Sequence, residues 1–410
     1  MKRACLLLFL AGFLMSAPAR AAPWHFAVFG DSRDRGHVGV NTEVVYQISR
    51  KIVDLNSNQP CAAVIFVGDL IRGQIEDASN TPLSHMYRDA RGALAPLYTN
   101  HIPFYPCRGN HETYWNPTNI VPPDQAWRDA FSNEVPANGP TNELYMTYSF
   151  VTNNALFISM DQYNGNLNVS EYHLMASLPW MTNVLAANTN PFVFVFGHEP
   201  AFDIVTGATN VEGEIEAGLT AHLNDRDEFW NDLGQGKVSA YFTGHLHLLS
   251  MGEATDLNSR VVAHMLIGNG GAPETPYNGQ VAESNRLKQL YYIPEGFGFA
   301  WVTVDGATYS MKSYELNTND NSWHIGYTYK PVAVHGMEIG QNPGTMALTF
   351  NAGVSASNTV CIYPDVYSMD SRSGGTNLWQ AFISDPGLLT NISVSFPAGW
   401  PQGFISINTE

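Results

Sequence analysis

Residues 62–69 have the sequence AAVIFVGD, an apolar run that ends in a glycine and a carboxylate. Apolar runs without polar alternation are typical of strands that are buried on both faces of a sheet. Similar runs lead into GD at residues 24–31 and into GHE at residues 192–199. Segments with helical periodicity, such as residues 41–56, lie between these runs. The alternation of strands and helices predicts an α/β fold with a mostly parallel sheet.

The hydrophobic pattern places the remaining elements up to about residue 330. It predicts helices over residues 41–56, 84–98, 170–187 and 226–233. It predicts strands over residues 24–29, 62–67, 102–106, 145–150, 155–160, 192–196, 238–242, 261–267, 298–304 and 309–316.

The last 80 or so residues have a different character, because helical periodicity ends there. Short strands are predicted at residues 346–350, 359–363, 379–383 and 392–396, separated by Gly, Pro, Asn and Ser. This spacing is typical of a small all-β sandwich. We therefore predict a C-terminal module over residues 331–410, with Pro331 at the boundary. We expect it to act in packing or attachment, since it carries no cluster of chemically reactive side chains.

The N-terminus has the pattern of an export signal. Lys2 and Arg3 precede an apolar segment of about a dozen residues, and Ala19-Arg20-Ala21 fits the A-x-A cleavage pattern. We expect residues 1–21 to be a signal peptide and the protein to be exported to the periplasm or the extracellular space; an uncleaved anchor is the alternative. No later segment reaches the roughly 18 apolar residues that a membrane-spanning helix needs, so we expect no span in the mature chain.

The charge of the chain excludes some partners. The 410 residues carry a formal charge of −17, and removal of the three basic residues in the signal segment would make it −20. Such an acidic surface repels nucleic acid and anionic membranes, so we expect neither as a partner. An anionic substrate would need local positive charge, for which Arg33 and Arg108 are candidates.

The cysteines do not suggest a disulfide framework. Three remain after cleavage, Cys61, Cys107 and Cys361, and an odd number cannot pair completely. Cys61 begins one predicted strand and Cys107 follows another. Because neighbouring parallel strands would place the two thiols at opposite ends, we expect free, buried cysteines.

Five short polar motifs follow predicted strands. In a parallel sheet the carboxyl ends of the strands form one edge, where ligands bind. The carboxylates, amide and imidazoles of these motifs are the donors that hold transition metals. The motifs are Gly30-Asp31-Ser32-Arg33, Gly68-Asp69, Gly109-Asn110-His111-Glu112, Gly197-His198-Glu199 and Gly244-His245-Leu246-His247.

The residue types suggest individual roles. His245 and His247 are two residues apart, so an extended backbone places both on one face. His111 follows Asn110 directly and must point elsewhere, which suits a proton donor to a leaving group. We expect Glu112 to orient the His111 imidazole. The donor set predicts a pair of divalent or trivalent transition metal ions such as manganese, iron or zinc.

The order of the motifs resembles the calcineurin-like metallophosphoesterase superfamily, which includes the purple acid phosphatases. The resemblance covers residues 24–327, and GNHE and GHLH are its most specific parts. It implies a two-sheet αββα sandwich for a catalytic domain at residues 22–330. It also implies hydrolysis of a small-molecule phosphate mono- or diester, in which a hydroxide held between two metals attacks phosphorus.

The resemblance assigns each donor to a metal. Asp69 would bridge both ions, and His111 would assist the leaving group. The first metal would take Asp31 and His247, and the second would take Asn110, His198 and His245.

The sequence departs from the family pattern at the first metal. Many members have a histidine two residues after the first aspartate, where this chain has Arg33. Purple acid phosphatases have a tyrosine three residues after the second aspartate, where this chain has Arg72. We hypothesise that Arg33 contacts the substrate phosphate through its planar guanidinium. Alternatively, His37 replaces the missing ligand.

Two further expectations concern the surroundings of the site. The loop at residues 113–142, with Tyr114, Trp115 and Trp127, and the segment at residues 202–225 are expected to form the walls of the substrate pocket. The weakened first metal site leaves open a second function, namely a non-catalytic binding or attachment protein that retains the fold.

Overall fold

The computed structural model describes residues 22–34, 39–74, 81–114, 121–163, 174–202, 218–274, 281, 283–293 and 295–331, and the backbone of six strands beyond them. The signal segment and His37 lie outside the described residues. In chain order the strands are β1 (Trp24–Phe29), β2 (Cys61–Val67), β3 (Phe104–Cys107), β4 (Tyr148–Thr152), β5 (Ala155–Ser159), β6 (Phe192–Phe196), β7 (Ala240–Thr243), β8 (Leu249–Thr255), β9 (Val261–Ile267), β10 (Leu287–Ile293), β11 (Phe297–Asp305), β12 (Thr308–Asn317), β13 (Ser322–Tyr329), β14 (Val334–Asn342), β15 (Thr345–Ala352), β16 (Asn358–Pro364), β17 (Trp379–Ile383), β18 (Ile392–Pro397) and β19 (Gly403–Thr409). The helices are α1 (Thr42–Asn56), α2 (Leu83–Ala93), α3 (Ala95–Thr99), α4 (Pro123–Phe131), α5 (Leu174–Ala186) and α6 (Leu223–Gln235), with short 3₁₀ helices at His111–Thr113, Thr141–Glu143 and Gly218–His222.

Two mixed sheets form the body of the fold. The first has the order β13-β12-β11-β1-β2-β3, and the second has the order β10-β8-β9-β7-β6-β5-β4. Neighbouring strands are parallel within the series β1-β2-β3 of the first sheet and within the series β5-β6-β7-β9 of the second sheet. The remaining strand pairs of the two sheets are antiparallel. The mostly parallel sheet expected from the alternation is therefore wrong in its strand directions, because antiparallel strands extend the parallel strands of each sheet.

The sheets are covered by apolar side chains on both faces. In β1, Phe26 and Val28 face the other sheet, while Ala27 and Phe29 pack under α1 with Val45. A third cluster packs α5 and α6 on the far side of the second sheet. Burial on both faces explains why the central strands are continuous apolar runs. The two-sheet αββα sandwich is thus confirmed.

Several predicted boundaries differ from the structure. The single helix predicted over residues 84–98 is divided into α2 and α3 at Leu94, next to Pro96, whose missing N–H and ring disfavour continuation of the first helix. The strand predicted over residues 145–150 is β4, which begins only at Tyr148. Strands β8, β10 and β13 were not predicted. Cys61 and Cys107 are free and buried, as expected.

The backbone beyond residue 334 forms two three-stranded antiparallel sheets, with the orders β14-β15-β18 and β17-β16-β19. All-β character was predicted for this region, although β14 and β19 were not. The division of the chain at Pro331 stays a prediction. Among the described residues, no helix is long and apolar enough to cross a membrane.

Candidate metal centre

The predicted donors converge at the carboxyl ends of strands from both sheets. Asp31 follows β1 and Asp69 follows β2, and both are buried. His247 arrives from the loop after β7 in the other sheet. Donor atoms of Asp31, Asp69 and His247 all lie within 4.8 Å of one another. The structure therefore assembles the donor set that was predicted for the first metal.

Close packing of the motif loops explains why glycine precedes the donors. A Cβ on Gly109 would lie 2.0 Å from Asp69 Oδ1, and a Cβ on Gly244 would lie 2.2 Å from Asp31 Oδ2. Real Cβ atoms do not approach other atoms so closely, so each loop needs glycine where the carboxylate of another motif passes it.

Three of the donors have left-handed backbone conformations. Asp31, Asp69 and His245 have φ angles of 57°, 56° and 73°. Such conformations cost about 1–2 kcal/mol each in non-glycine residues and are concentrated at functional sites. Hydrogen bonds between motifs stabilise them. The His245 N–H donates to Asp31 Oδ1 at 2.9 Å, and the Asp31 N–H donates to the Gly68 carbonyl at 2.9 Å.

His198 joins the second donor set. Its Nδ1 donates to the Val67 carbonyl at 2.8 Å, which turns Nε2 toward the carboxylates. His198 Nε2 lies 3.1 Å from Asn110 Oδ1 and 3.3 Å from Asp69 Oδ1. The ring centroids of His198 and His245 are 5.2 Å apart. His198 Nε2 therefore lies beside donor atoms of both Asn110 and Asp69, and the His245 ring is a neighbour of the His198 ring.

His247 and His111 are oriented in the same way. His247 Nδ1 bonds the Pro273 carbonyl, and its Nε2 is 3.7 Å from Asp31 Oδ1. His111 Nδ1 bonds the Arg72 carbonyl at 2.7 Å, and its Nε2 is 3.6 Å from Asp69 Oδ2. The outer nitrogen of each ring is fixed by a backbone carbonyl, and the inner nitrogen faces the carboxylates.

The electrostatics of the site fit a cation. Burial strongly raises the pKa of Asp31, and the neighbouring Asp69 raises it further. Burial opposes protonation of His198, but the charges of Asp69 and Asp31 outweigh it and raise the His198 pKa to about 10. Burial lowers the pKa of His247 well below its usual value, which keeps this imidazole in the neutral form that binds metals. Two buried carboxylates beside imidazoles are a donor set that matches transition metal ions.

Comparison with known proteins identifies the family. The model of the calcineurin-like phosphoesterase family matches residues 25–249, which is more than half of the chain. The chain belongs to the calcineurin-like phosphoesterase family. A search of curated proteins found no match.

Solved structures share the fold of this family member. Purple acid phosphatase PPD1 from yellow lupin (Lupinus luteus) seeds matches with a TM-score of 0.53 and 15% identity, over 77% of this chain and 55% of the lupin chain. The structure of PhoD matches with a TM-score of 0.56 and 13% identity, over 77% of this chain and 71% of PhoD. The chain thus spans little more than half of the lupin protein, and the likeness at these identities concerns the fold.

Arg33 lies inside the candidate site of this family member. Its side chain is 2% exposed, and its Nε is 4.0 Å from Asp69 Oδ2. Its charge adds to burial in lowering the pKa values of His247 and His111. Arg108 was also a candidate for positive charge toward the substrate, and this prediction is wrong. The guanidinium of Arg108 is fully buried and pairs with Asp161 and Asp124.

The predicted role of Glu112 is also wrong. Its carboxylate accepts hydrogen bonds from the backbone N–H groups of Gly109 at 2.6 Å, Asp69 at 2.9 Å and Ile71 at 3.0 Å. Glu112 therefore ties the third motif to the second, while the Arg72 carbonyl holds the His111 ring.

Of the three aromatic residues predicted to form the walls of the substrate pocket, only Tyr114 is found beside the site. Trp127 is wholly buried in the core under the first sheet, where its Nε1 donates to the Tyr145 carbonyl, so its prediction as a wall is wrong. Tyr114 does border the site, because its hydroxyl accepts from Asn110 Nδ2 at 2.9 Å and its ring centroid is 4.5 Å from that of His111. Trp115 and residues 203–217 lie outside the described residues.

Sequence reasoning missed a group of residues after β5. Gln162 Oε1 accepts from the N–H groups of His198 at 2.6 Å and Glu199 at 2.7 Å. Tyr163 donates its hydroxyl to Glu199 Oε1 at 2.5 Å. Their position after the buried strand β5 could have indicated them, since the five motifs also follow buried strands.

Proposed function

We propose that the protein is an exported phosphoesterase that hydrolyses phosphate mono- or diesters with two transition metal ions. The observation that carries the proposal is the convergence of Asp31, Asp69 and His247 within 4.8 Å. His198 Nε2 lies 3.3 Å from Asp69 Oδ1 and 3.1 Å from Asn110 Oδ1. Membership of the family supports phosphoester hydrolysis in general. The signal pattern at residues 1–21 supports export.

Each donor has a defined place in this proposal. Asp31 and His247 would hold the first ion, Asn110, His198 and His245 would hold the second, and Asp69 would be shared. When bound, such a metal pair lowers the pKa of water to give a nucleophile and neutralises charge on the phosphoryl oxygens.

His111 suits the leaving-group side of the reaction. The Arg72 carbonyl accepts from its Nδ1, so Nε2 is the atom that would pass a proton to the departing oxygen. Arg33 would bind the phosphate, because a guanidinium matches the geometry of phosphoryl oxygens and lies beside the shared carboxylate.

The first experiment is to measure metal content and turnover on the same sample. Residues 22–410 would be purified, metals counted per chain, and an aryl phosphate monoester and diester assayed with manganese, iron or zinc. We expect two metals and metal-dependent turnover, and the ratio of the two rates assigns the substrate class. Asp69→Asn should lose both readouts, whereas Asp256→Asn, which alters a carboxylate paired with Arg260 away from the motifs, should retain them.

Arg33 also favours the second candidate function, a non-catalytic binding or attachment protein. A guanidinium at the first metal position supplies positive charge without a metal ligand. One tightly bound metal with no hydrolysis of either ester would support this alternative and overturn the enzyme.

A further inference from the structure

One histidine of the centre is oriented differently from the others. His198, His247 and His111 each present Nδ1 to a backbone carbonyl. The Nε2 of His245 instead lies 3.6 Å from Glu199 Oε2, at ion-pair distance and slightly beyond a direct hydrogen bond. With Nε2 turned to Glu199, Nδ1 is the nitrogen of His245 that remains for a metal.

Glu199 is itself held in place by hydrogen bonds of its Oε1, its carbonyl and its N–H. Its Oε1 accepts from the Tyr163 hydroxyl at 2.5 Å, and its carbonyl accepts from the Tyr241 hydroxyl at 2.7 Å. Its N–H donates to Gln162 Oε1 at 2.7 Å. The Glu199 side chain is 12% exposed, and the His245 side chain is 14% exposed. The carboxylate is therefore fixed before any metal or substrate arrives.

A carboxylate behind a histidine ligand has known physical effects. It fixes the tautomer and the orientation of the ring, and it raises the basicity of the nitrogen that faces the metal. A backbone carbonyl does the first of these but carries no charge. A direct role of Glu199 in binding an anionic phosphate is disfavoured, because like charges repel.

We infer that Glu199 is a positioning residue that orients His245 toward the second metal, and that Tyr163 holds Glu199 in this orientation. The inference rests on the metal-binding part of the proposed function. It assigns a role to the residue after His198 that differs from metal ligation.

Metal affinity, measured by calorimetric titration with zinc or manganese, tests this role. The titration is performed in the His247→Ala background, which removes a first-site ligand, so that the second site is observed. Glu199→Leu should weaken binding about 10- to 100-fold, the range for loss of such partners. Glu199→Gln, which keeps an acceptor, should recover much of the affinity, and Tyr163→Phe should give a smaller loss.

The control is a tyrosine–glutamate hydrogen bond far from the metals. Tyr329 donates its hydroxyl to Glu253 Oε1 at 3.0 Å, and Glu253→Gln should leave metal affinity unchanged. Circular dichroism verifies that each variant is folded. If Glu199→Leu does not fold, Tyr163→Phe and Glu199→Gln decide the test.

Unchanged metal affinity in the folded Glu199 and Tyr163 variants would overturn the inference, as would equal losses of affinity in Glu199→Gln and Glu199→Leu. Since the readout is metal binding, a wild-type protein that binds metal but hydrolyses no ester would refute the enzyme and leave this test intact.

Discussion

Replacement of Arg33 by alanine separates two opposite effects of one buried guanidinium. Arg33 lies beside the shared carboxylate of Asp69, with Nε 4.0 Å from Oδ2. Its charge would attract a phosphate group, but it would also repel a metal ion bound by Asp31 and His247. Arg33→Ala should therefore weaken substrate binding and strengthen binding of the first metal.

The magnitude follows from the contacts. Two unit charges 4 Å apart interact by about 4 kcal/mol at an effective dielectric constant of 20. An interaction of this size between the Arg33 guanidinium and Asp69 is large enough to weaken the binding of a metal by Asp69. Hydrogen bonds to a charged group contribute about 1.5–3 kcal/mol. This range corresponds to roughly 10- to 150-fold in binding. We expect the KM for an aryl phosphate and the inhibition constant of inorganic phosphate to rise by about this factor.

The assay combines steady-state kinetics at saturating metal, inhibition by inorganic phosphate and calorimetric metal titration. Arg33→Lys keeps the charge but loses the planar fork, so it should give an intermediate KM. Arg260→Ala removes an arginine that pairs with Asp256 and should change none of these values. Unchanged turnover and unchanged phosphate affinity in Arg33→Ala would refute the phosphate contact.

Two other predictions concern stability. Gly109→Ala places a Cβ 2.0 Å from Asp69 Oδ1, so we expect the free energy of unfolding in urea to fall by about 1–3 kcal/mol and metal binding to weaken. The control is Gly92→Ala, where the new Cβ meets no atom within 4 Å. Equal stability and equal metal binding in the two variants would contradict the packing argument. Burial lowers the pKa of His264 to about 3, whereas the unfolded chain takes up this proton below about pH 6.5, so stability is lost as the pH falls from 6.5 toward 3. Between pH 7 and pH 5 this loss is about 2 kcal/mol. His264→Gln should remove it from the pH dependence of urea unfolding, and an unaltered pH dependence in the variant would show that another group is responsible.

The parts of the fold that were predictable are those buried on both faces. Strands β2 and β6 are continuous apolar runs, and their burial in the middle of each sheet requires this. Strands β10 and β13 are sheet edges whose side chains are mostly exposed or partly exposed; Lys288 and His324, for example, are exposed, so no simple hydrophobic pattern marks these strands. The convergence of the motifs was predictable for the same reason as the central strands, because parallel strands end at a common edge.

The local geometry of the site was not predictable from adjacent residues. A Gly-Asp pair indicates a turn, but the left-handed conformation of Asp69 is stabilised by Glu112, which is 43 residues away in sequence. Because Glu112 directly follows His111 in sequence, the pattern indicated a contact between these two side chains, whereas Glu112 binds backbone N–H groups of the second motif.

In a site assembled from the ends of separate strands, the loops must hold one another as well as the ligands. Glu112 binds backbone N–H groups of the second motif, and Gly109 makes room for Asp69. Glu199 likewise faces His245 from another motif. Contacts between loops therefore explain why the motifs contain residues besides the ligands, since only one or two residues of each motif supply donor atoms to the predicted metals. A substitution beside a ligand should thus disturb the donors of a neighbouring motif more than its own, which is the pattern that the Gly109 and Glu199 variants measure.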